Sequence, residues 1–166
     1  MKNKDSIKLL FLLWLIPCWN LYAQEHRQED LVGTWEVRKC ELYNEGRLIK
    51  TGIFNSSEIE SKQIEGKYAG KIEEDVNSII KEILGARITF NNDSTVISDA
   101  TVEGLNFSNA YWHLSSLGEL IICKTENKKR MKPLLFSGRV NFLSRSEIMV
   151  EYFESGFQMR LFFTFV

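Results

Sequence analysis

Histidine is the first residue type to consider for chemistry, because its imidazole exchanges protons near neutral pH. The chain has two histidines, His26 and His113. Neither has a motif partner: the sequence contains no Gly-x-Ser-x-Gly segment, no histidine pair at metal-ligand spacing and no phosphate-binding glycine loop. A histidine on the surface or wall of the fold is the simpler interpretation of both. The sequence therefore predicts no catalytic residue, no cofactor, no metal site and no enzymatic activity.

Charge excludes a further class of partner. Lysine and arginine number 21 against 22 aspartates and glutamates, so the formal net charge is −1. Nucleic-acid binding needs a basic surface that this balance does not indicate. The run Glu73-Glu74-Asp75 offers carboxylates to a cation, but it falls in the first turn of a predicted helix, where negative side chains favour the helix dipole.

The first 23 residues have the composition of an export signal. Three lysines, at positions 2, 4 and 8, precede a short apolar run from Leu9 to Ile16, and the small Ala23 suits the cleavage position. The run is shorter than the roughly 20 apolar residues that cross a bilayer. We expect residues 1–23 to be removed, leaving a periplasmic or secreted domain, 24–166, with no membrane span.

Two other fates of this segment remain open. The signal could stay uncleaved as an N-terminal membrane anchor. Alternatively, the stretch Leu15-Ile16-Pro17-Cys18 resembles a bacterial lipoprotein box, in which Cys18 would be acylated. Such boxes carry a small residue before the cysteine, so Pro17 favours ordinary cleavage.

Eight segments alternate apolar and polar residues with the period of two that half-buried strands show. Most are separated by short turn sequences, which favour antiparallel neighbours. A long meander closes on itself to remove its edges, so we expect an all-β fold, an eight-stranded antiparallel up-and-down barrel. A β-sandwich of the same strands is the alternative. The predicted strands are approximately 31–43, 86–90, 95–101, 110–114, 120–125, 134–142, 148–152 and 157–165.

One helical insertion, at about 52–85, separates the first two of these strands. Within it, residues 71–84 have the period of an amphipathic helix that ends before Gly85. One or two further helical turns are expected near 59–64, where Ser57 and Glu60 form a possible capping box. The apolar stripe of the main helix consists of Ile72, Val76, Ile79, Ile80 and Ile83. Such a stripe must be buried, so the helix is expected to lie over the barrel as a lid or as a permanent plug.

Short motifs in order along the chain resemble those of one family. Gly33-Thr34-Trp35 resembles the Gly-x-Trp signature of lipocalins. The segment 87–96 is similar to a hairpin of bacterial lipocalin-like domains, with Ser94 where those have glycine, and 111–114 followed by 120–122 looks like their next strand pair. The resemblance covers most of 31–166 apart from the helical insertion.

A lipocalin resemblance implies a calycin-type barrel with a ligand inside it. It also implies that the tryptophan packs at the closed end beneath an arginine of the last strand, for which Arg160 is the candidate, although its parity points outward. The aromatic residues that would line the ligand site are Trp35, Phe90, Trp112, Phe136 and Tyr152. The same rings could instead fill the barrel. Lys39 shares the parity of Trp35 and would place a charge inside, unless a bulge turns it outward.

Cys40 and Cys123 fall on the first and fifth predicted strands, which are not neighbours in a meander. We therefore expect two buried free thiols rather than a disulfide.

These features predict an exported, lipocalin-like, non-catalytic protein that binds a small apolar molecule or lipid inside the barrel. The alternative is a protein-interaction or inhibitor module of the cell envelope, with a filled barrel and an outer surface that includes Phe162. The sequence indicates no particular oligomeric state.

The export signal can be tested on protein recovered from the cell envelope. Cleavage after Ala23 exposes Gln24, so intact-mass spectrometry is expected to give an unmodified chain that begins there. A diacylglyceryl mass on Cys18 would contradict this expectation and make the protein a lipoprotein.

Overall fold

The computed structural model describes residues 28–55, 59–61, 69–102, 104–108, 110–125, 134–154 and 156–166. Residues 59–61 and 69–75 are described by their secondary structure alone. The predicted signal segment and His26 lie outside the described residues.

Within these ranges the chain forms a short 3-10 helix, ten strands and one α-helix. In order they are the 3-10 helix Gln28–Leu31, β1 (Gly33–Asn44), β2 (Arg47–Ile53), β3 (Ile59–Ser61), α1 (Ala69–Ile83), β4 (Arg87–Phe90), β5 (Thr95–Ser98), β6 (Ala110–Leu114), β7 (Glu119–Cys123), β8 (Leu134–Phe142), β9 (Glu147–Glu154) and β10 (Phe157–Phe165).

Strand β1 closes the barrel. It pairs antiparallel with β10 along most of its length and with β4 at its beginning, so Trp35 lies opposite both Phe165 and Ile88. From β4 to β10 each strand pairs antiparallel with the next. The eight strands β1 and β4–β10 therefore form the closed up-and-down barrel that the alternation predicts, in place of the alternative sandwich.

Two further strands depart from the prediction. The second half of β1 pairs with β2, and β2 pairs with β3, so that Gly52 lies opposite both Cys40 and Ile59. The helical turns expected near 59–64 are wrong for 59–61, which form β3; residues 62–64 lie outside the described residues. A capping-box pattern reports only local preference, whereas the open edge of β2 offers backbone partners that a local pattern does not reveal.

A bulge in β1 reverses the parity of its side chains. The register with β10 shifts between Val37 and Lys39. Trp35 and Val37 point into the barrel before the bulge, and Cys40 and Leu42 do so after it. Lys39 consequently points outward, where its ammonium lies 2.6 Å from a carboxylate oxygen of Glu41. Lys39 therefore does not place a charge inside the barrel.

The end of the barrel near the start of β1 is filled with aromatic side chains. The indole N–H of Trp35 donates to the carbonyl oxygen of Leu31 at 2.8 Å, and its ring meets Phe165 edge-on at a centroid distance of 5.2 Å. Phe90 and Trp112 pack in the same manner, also at 5.2 Å. We call this aromatic-filled end the closed end.

Phe165, rather than Arg160, packs on the tryptophan. Gly33 has a φ of +129°, and a Cβ there would lie 2.3 Å from the Phe165 ring, so the glycine leaves room for that ring. Arg160 points outward, as its parity indicates: its Nε donates to Glu151 at 2.8 Å, and its guanidinium lies 4.6 Å above the ring of Tyr43. The Trp35–Arg160 contact implied by the resemblance is therefore wrong.

Both described cysteines are buried free thiols, as expected. Burial, reinforced by the nearby carboxylate of Glu41, raises the pKa of Cys40 to about 12. Cys123 donates from its thiol to the carbonyl oxygen of Thr125 at 3.1 Å.

The packing of Trp35 predicts a large loss of stability on truncation. Trp35→Ala is expected to lower the free energy of unfolding by roughly 3–5 kcal/mol, because it removes a buried ring and leaves a cavity. Urea denaturation measures the change. Phe153→Ala is the control, since that ring is 73% exposed, and its effect should stay within about 0.5 kcal/mol. Equal midpoints for both variants would contradict the assignment of Trp35 to the core.

Candidate functional site

A cavity of about 940 Å³ lies at the end of the barrel opposite Trp35. One wall is helix α1, from Val76 to Ile83. The other walls come from residues 101–102 and 104–107 of the loop after β5, the first residues of β8 at 134–137, the end of β9 and the beginning of β10. The strands thus fix most of the cavity, and the helix covers one side of it.

The floor of the cavity is apolar and buried. Ring contacts join Phe136 to Phe107 at 6.1 Å and to Tyr152 at 5.1 Å, between centroids. Packing of this kind holds the rings in place, so the floor is a preformed surface. We use the name floor for all of the buried lining residues, including two that α1 contributes; they are Leu42, Ile80, Ile83, Leu105, Phe107, Phe136, Tyr152 and Met159.

The floor contains one hydroxyl group, that of Tyr152. This hydroxyl donates to the sulfur of Met159 at 3.1 Å. Burial raises the pKa of Tyr152 above its usual value, with smaller contributions from Cys40 and Glu154, so the phenol stays neutral at physiological pH. It can bond weakly to a ligand but does not supply a charge.

The opening of the cavity is exposed and mixed in character. Its apolar members are Ile79, Leu134 and Phe153. The exposed polar residues are Thr101, Asn106 and Ser137, and the exposed carboxylates are Glu82 and Glu154. We call these exposed lining residues the rim. The arrangement lets an apolar group reach the floor while a polar group stays in contact with water.

Helix α1 rests directly on strand β2. A Cβ at Gly52 would lie 2.3 Å from the Cγ2 of Ile80, so the glycine permits this close approach. Beside it the buried ammonium of Lys50 donates to the Oδ1 of Asn77 at 2.6 Å. At the end of the helix, Gly85 N–H donates to the Val37 carbonyl at 2.9 Å. Apolar packing, a buried polar contact and a backbone bond together hold the helix.

The predicted stripe of α1 divides into two parts. Ile80 and Ile83 are fully buried and belong to the same hydrophobic core as the barrel. Val76 and Ile79 line the cavity, and Ile79 remains 40% exposed. The side chain of Ile72 lies outside the described residues. Ile80 and Ile83 therefore have the burial expected of a plug. Val76 and Ile79 instead form a wall of the cavity, as the residues of a lid would.

The five residues predicted to line a ligand site do not lie together. Phe136 and Tyr152 belong to the floor of the cavity. Trp35, Phe90 and Trp112 do not line it and pack in the closed end. Alternation shows that all five point inward, but it does not show at which end of a tapered barrel the side chains leave space.

Sequence reasoning missed part of the floor. Leu105 and Phe107 are buried in the loop between β5 and β6, where Phe107 accepts a backbone bond from Ser98 at 2.9 Å. The available signal in the sequence was the alternation of apolar Leu105 and Phe107 around Asn106, directly after Gly104. Leu42 on β1 and Met159 on β10 also belong to the floor. Strict alternation from Trp35 would point Leu42 outward, and only the bulge in β1 turns it inward.

Other kinds of site find little support in the part of the chain that the structure describes. There, no group of three or more His, Cys, Asp or Glu residues is placed to hold a metal ion. His113 is half-buried on β6, with Ile121 as its cross-strand neighbour. In the described ranges, no helix has the length and apolar character needed to cross a membrane.

The architecture defines a class, a closed eight-stranded antiparallel β-barrel with one helix and a cavity at one end. No protein-family model, curated protein or solved structure matches the chain.

Two aspartate substitutions on α1 test the division of its stripe. Ile83→Asp is expected to lower the free energy of unfolding by at least about 3 kcal/mol, because it buries an unpaired carboxylate. Ile79→Asp is expected to cost less than about 1 kcal/mol, because its carboxylate can reach water. Thermal and urea unfolding measure both. Similar losses for the two variants would show that Ile79 is as deeply packed as Ile83.

Proposed function

We propose that this protein is an exported, lipocalin-like binding protein that holds a small apolar molecule or lipid in the cavity beneath α1, without catalysis. The observation that carries the proposal is the cavity of about 940 Å³ with a buried apolar floor. Ligand sites in proteins range from roughly 300 to 1,000 Å³ and are mostly apolar with a few polar groups.

The floor supplies the affinity in this proposal. Moving apolar surface out of water is worth about 25 cal/mol per Å², and a ligand in a cleft buries most of its surface. The ring of Phe136 already contacts the rings of Phe107 and Tyr152, so little side-chain freedom is lost on binding.

The lipocalin-like and exported character have separate support. The motif Gly33-Thr34-Trp35 begins β1, and its tryptophan packs at the closed end of an eight-stranded barrel, the position that the family resemblance implies. The lysines and apolar run of residues 1–23 support export. A periplasmic or secreted location follows from that signal.

An interaction module is the second candidate. Leu117 is 80% exposed in the β6–β7 turn, and Leu143 is exposed in the β8–β9 turn. The two turns lie at the closed end, where the carbonyl of Gly118 accepts from Val140 N–H at 2.7 Å. A partner that covered both leucines would favour this function. Phe162 supports it less, because the ammonium of Lys39 lies 4.9 Å over its ring.

A neutral apolar dye provides the direct test of binding. N-phenyl-1-naphthylamine is expected to fluoresce with the purified protein, and Ile79→Asp is expected to weaken its binding at least about fivefold by placing a charge in the cavity wall. Ile97→Asp is the matched control, since Ile97 is 53% exposed and does not line the cavity. The affinity of the Ile97→Asp variant for the dye should stay within about twofold of the wild-type value.

Two results would contradict the proposal. The first is an absence of dye binding by the wild-type protein. The second is an equal loss of affinity in both variants, which would place the dye elsewhere.

A further inference from the structure

The cavity changes from apolar to polar between its floor and its rim. Every buried lining residue is apolar apart from the hydroxyl of Tyr152, and every lining residue of the described chain that carries a charge lies at the exposed rim. A ligand that matched this pattern would have an apolar body and a polar head. The charge of the head is then set by the rim.

The charged side chains of the described rim are both carboxylates, Glu82 and Glu154. They come from different elements, since Glu82 belongs to α1 and Glu154 ends β9. Glu82 accepts a hydrogen bond from the hydroxyl of Ser78 at 3.2 Å, an uncharged partner that leaves its negative charge in place. Glu154 follows Tyr152 by two residues, and its negative charge contributes to the raised pKa of the Tyr152 phenol.

We infer that the ligand is a cationic amphiphile, with its apolar body on the floor and a positively charged head at the rim, which Glu82 and Glu154 line. This inference rests on the proposed function, because it takes the cavity to be a binding site. A cationic head gains attraction from both carboxylates, whereas an anionic head is repelled by both. The affinity for an amphiphile with an uncharged head is expected to lie between the affinities for the cationic and the anionic one.

Three amphiphiles with the same chain test the inference by displacement of the neutral dye. Decyltrimethylammonium is expected to bind more tightly than 1-decanol, and 1-decanol more tightly than decanoate, each below its micelle concentration. The cation is expected to exceed the anion by about five- to tenfold at low salt, as exposed charge pairs allow. The ratio should shrink in 1 M salt, where the screening length is about 3 Å.

Substitution of the two carboxylates separates their charge from their shape. The double variant Glu82→Gln with Glu154→Gln is expected to bring the ratio of the affinities for decyltrimethylammonium and decanoate close to one. Glu147→Gln is the matched control, because Glu147 is exposed at the other end of β9 and does not line the cavity. The Glu147→Gln variant should prefer the cation over the anion to the same extent as the wild-type protein.

The failure of this inference differs from the failure of the proposed function. Displacement by 1-decanol together with equal or tighter binding of decanoate overturns the cationic head and keeps the binding site. Lys128, Lys129, Arg130 and Lys132, which lie between β7 and β8 in the sequence, would then be the residues to substitute. If neither dye nor 1-decanol binds, the proposed function itself is wrong.

Discussion

The pairing of β1 with β10 is the interaction on which the rest of the structure depends. It joins the first strand of the barrel to the last, so it is formed by residues far apart in sequence and brings the whole meander into one closed sheet. Closure also fixes the two ends of the barrel relative to each other. Trp35 meets Phe165 at one end, and Leu42 lies opposite Met159 at the other.

The barrel is filled at one end and hollow at the other, although aromatic rings pack at both ends. Aromatic rings occupy the closed end as edge-to-face pairs. At the opposite end the chain leaves the barrel, since β2 and β3 extend from the second half of β1 and lead to α1. The helix comes back over an opening that barrel side chains alone do not fill, which produces both a buried helix face and a cavity.

The eight barrel strands and the helix could be predicted from periodicity, because the burial of one face repeats every two residues in a strand and at about 3.6 residues in a helix. Strands β2 and β3 could not, since Gly52 and Lys50 interrupt the apolar pattern and are explained only by the helix that packs on them. The sequence left a bulge in β1 as an alternative and could not decide it, because the bulge occurs where Val37 makes backbone bonds to Gly85 and Ala86, which are distant in the sequence. Of the five residues predicted to line a ligand site, Phe136 and Tyr152 line the cavity.

The C-terminal end of α1 is attached to β1 near Gly85. Two backbone bonds, from Gly85 to Val37 and from Val37 to Ala86, fix that end at 2.9 Å each. Val76 stands seven residues before Ile83, about 10 Å along the axis at 1.5 Å per residue. A tilt of about 10° would therefore displace Val76 by roughly 2 Å. The Lys50–Asn77 hydrogen bond and the packing of Ile80 on Gly52 oppose such a tilt, so the width of the cavity at Val76 is set by β2 as well as by β1.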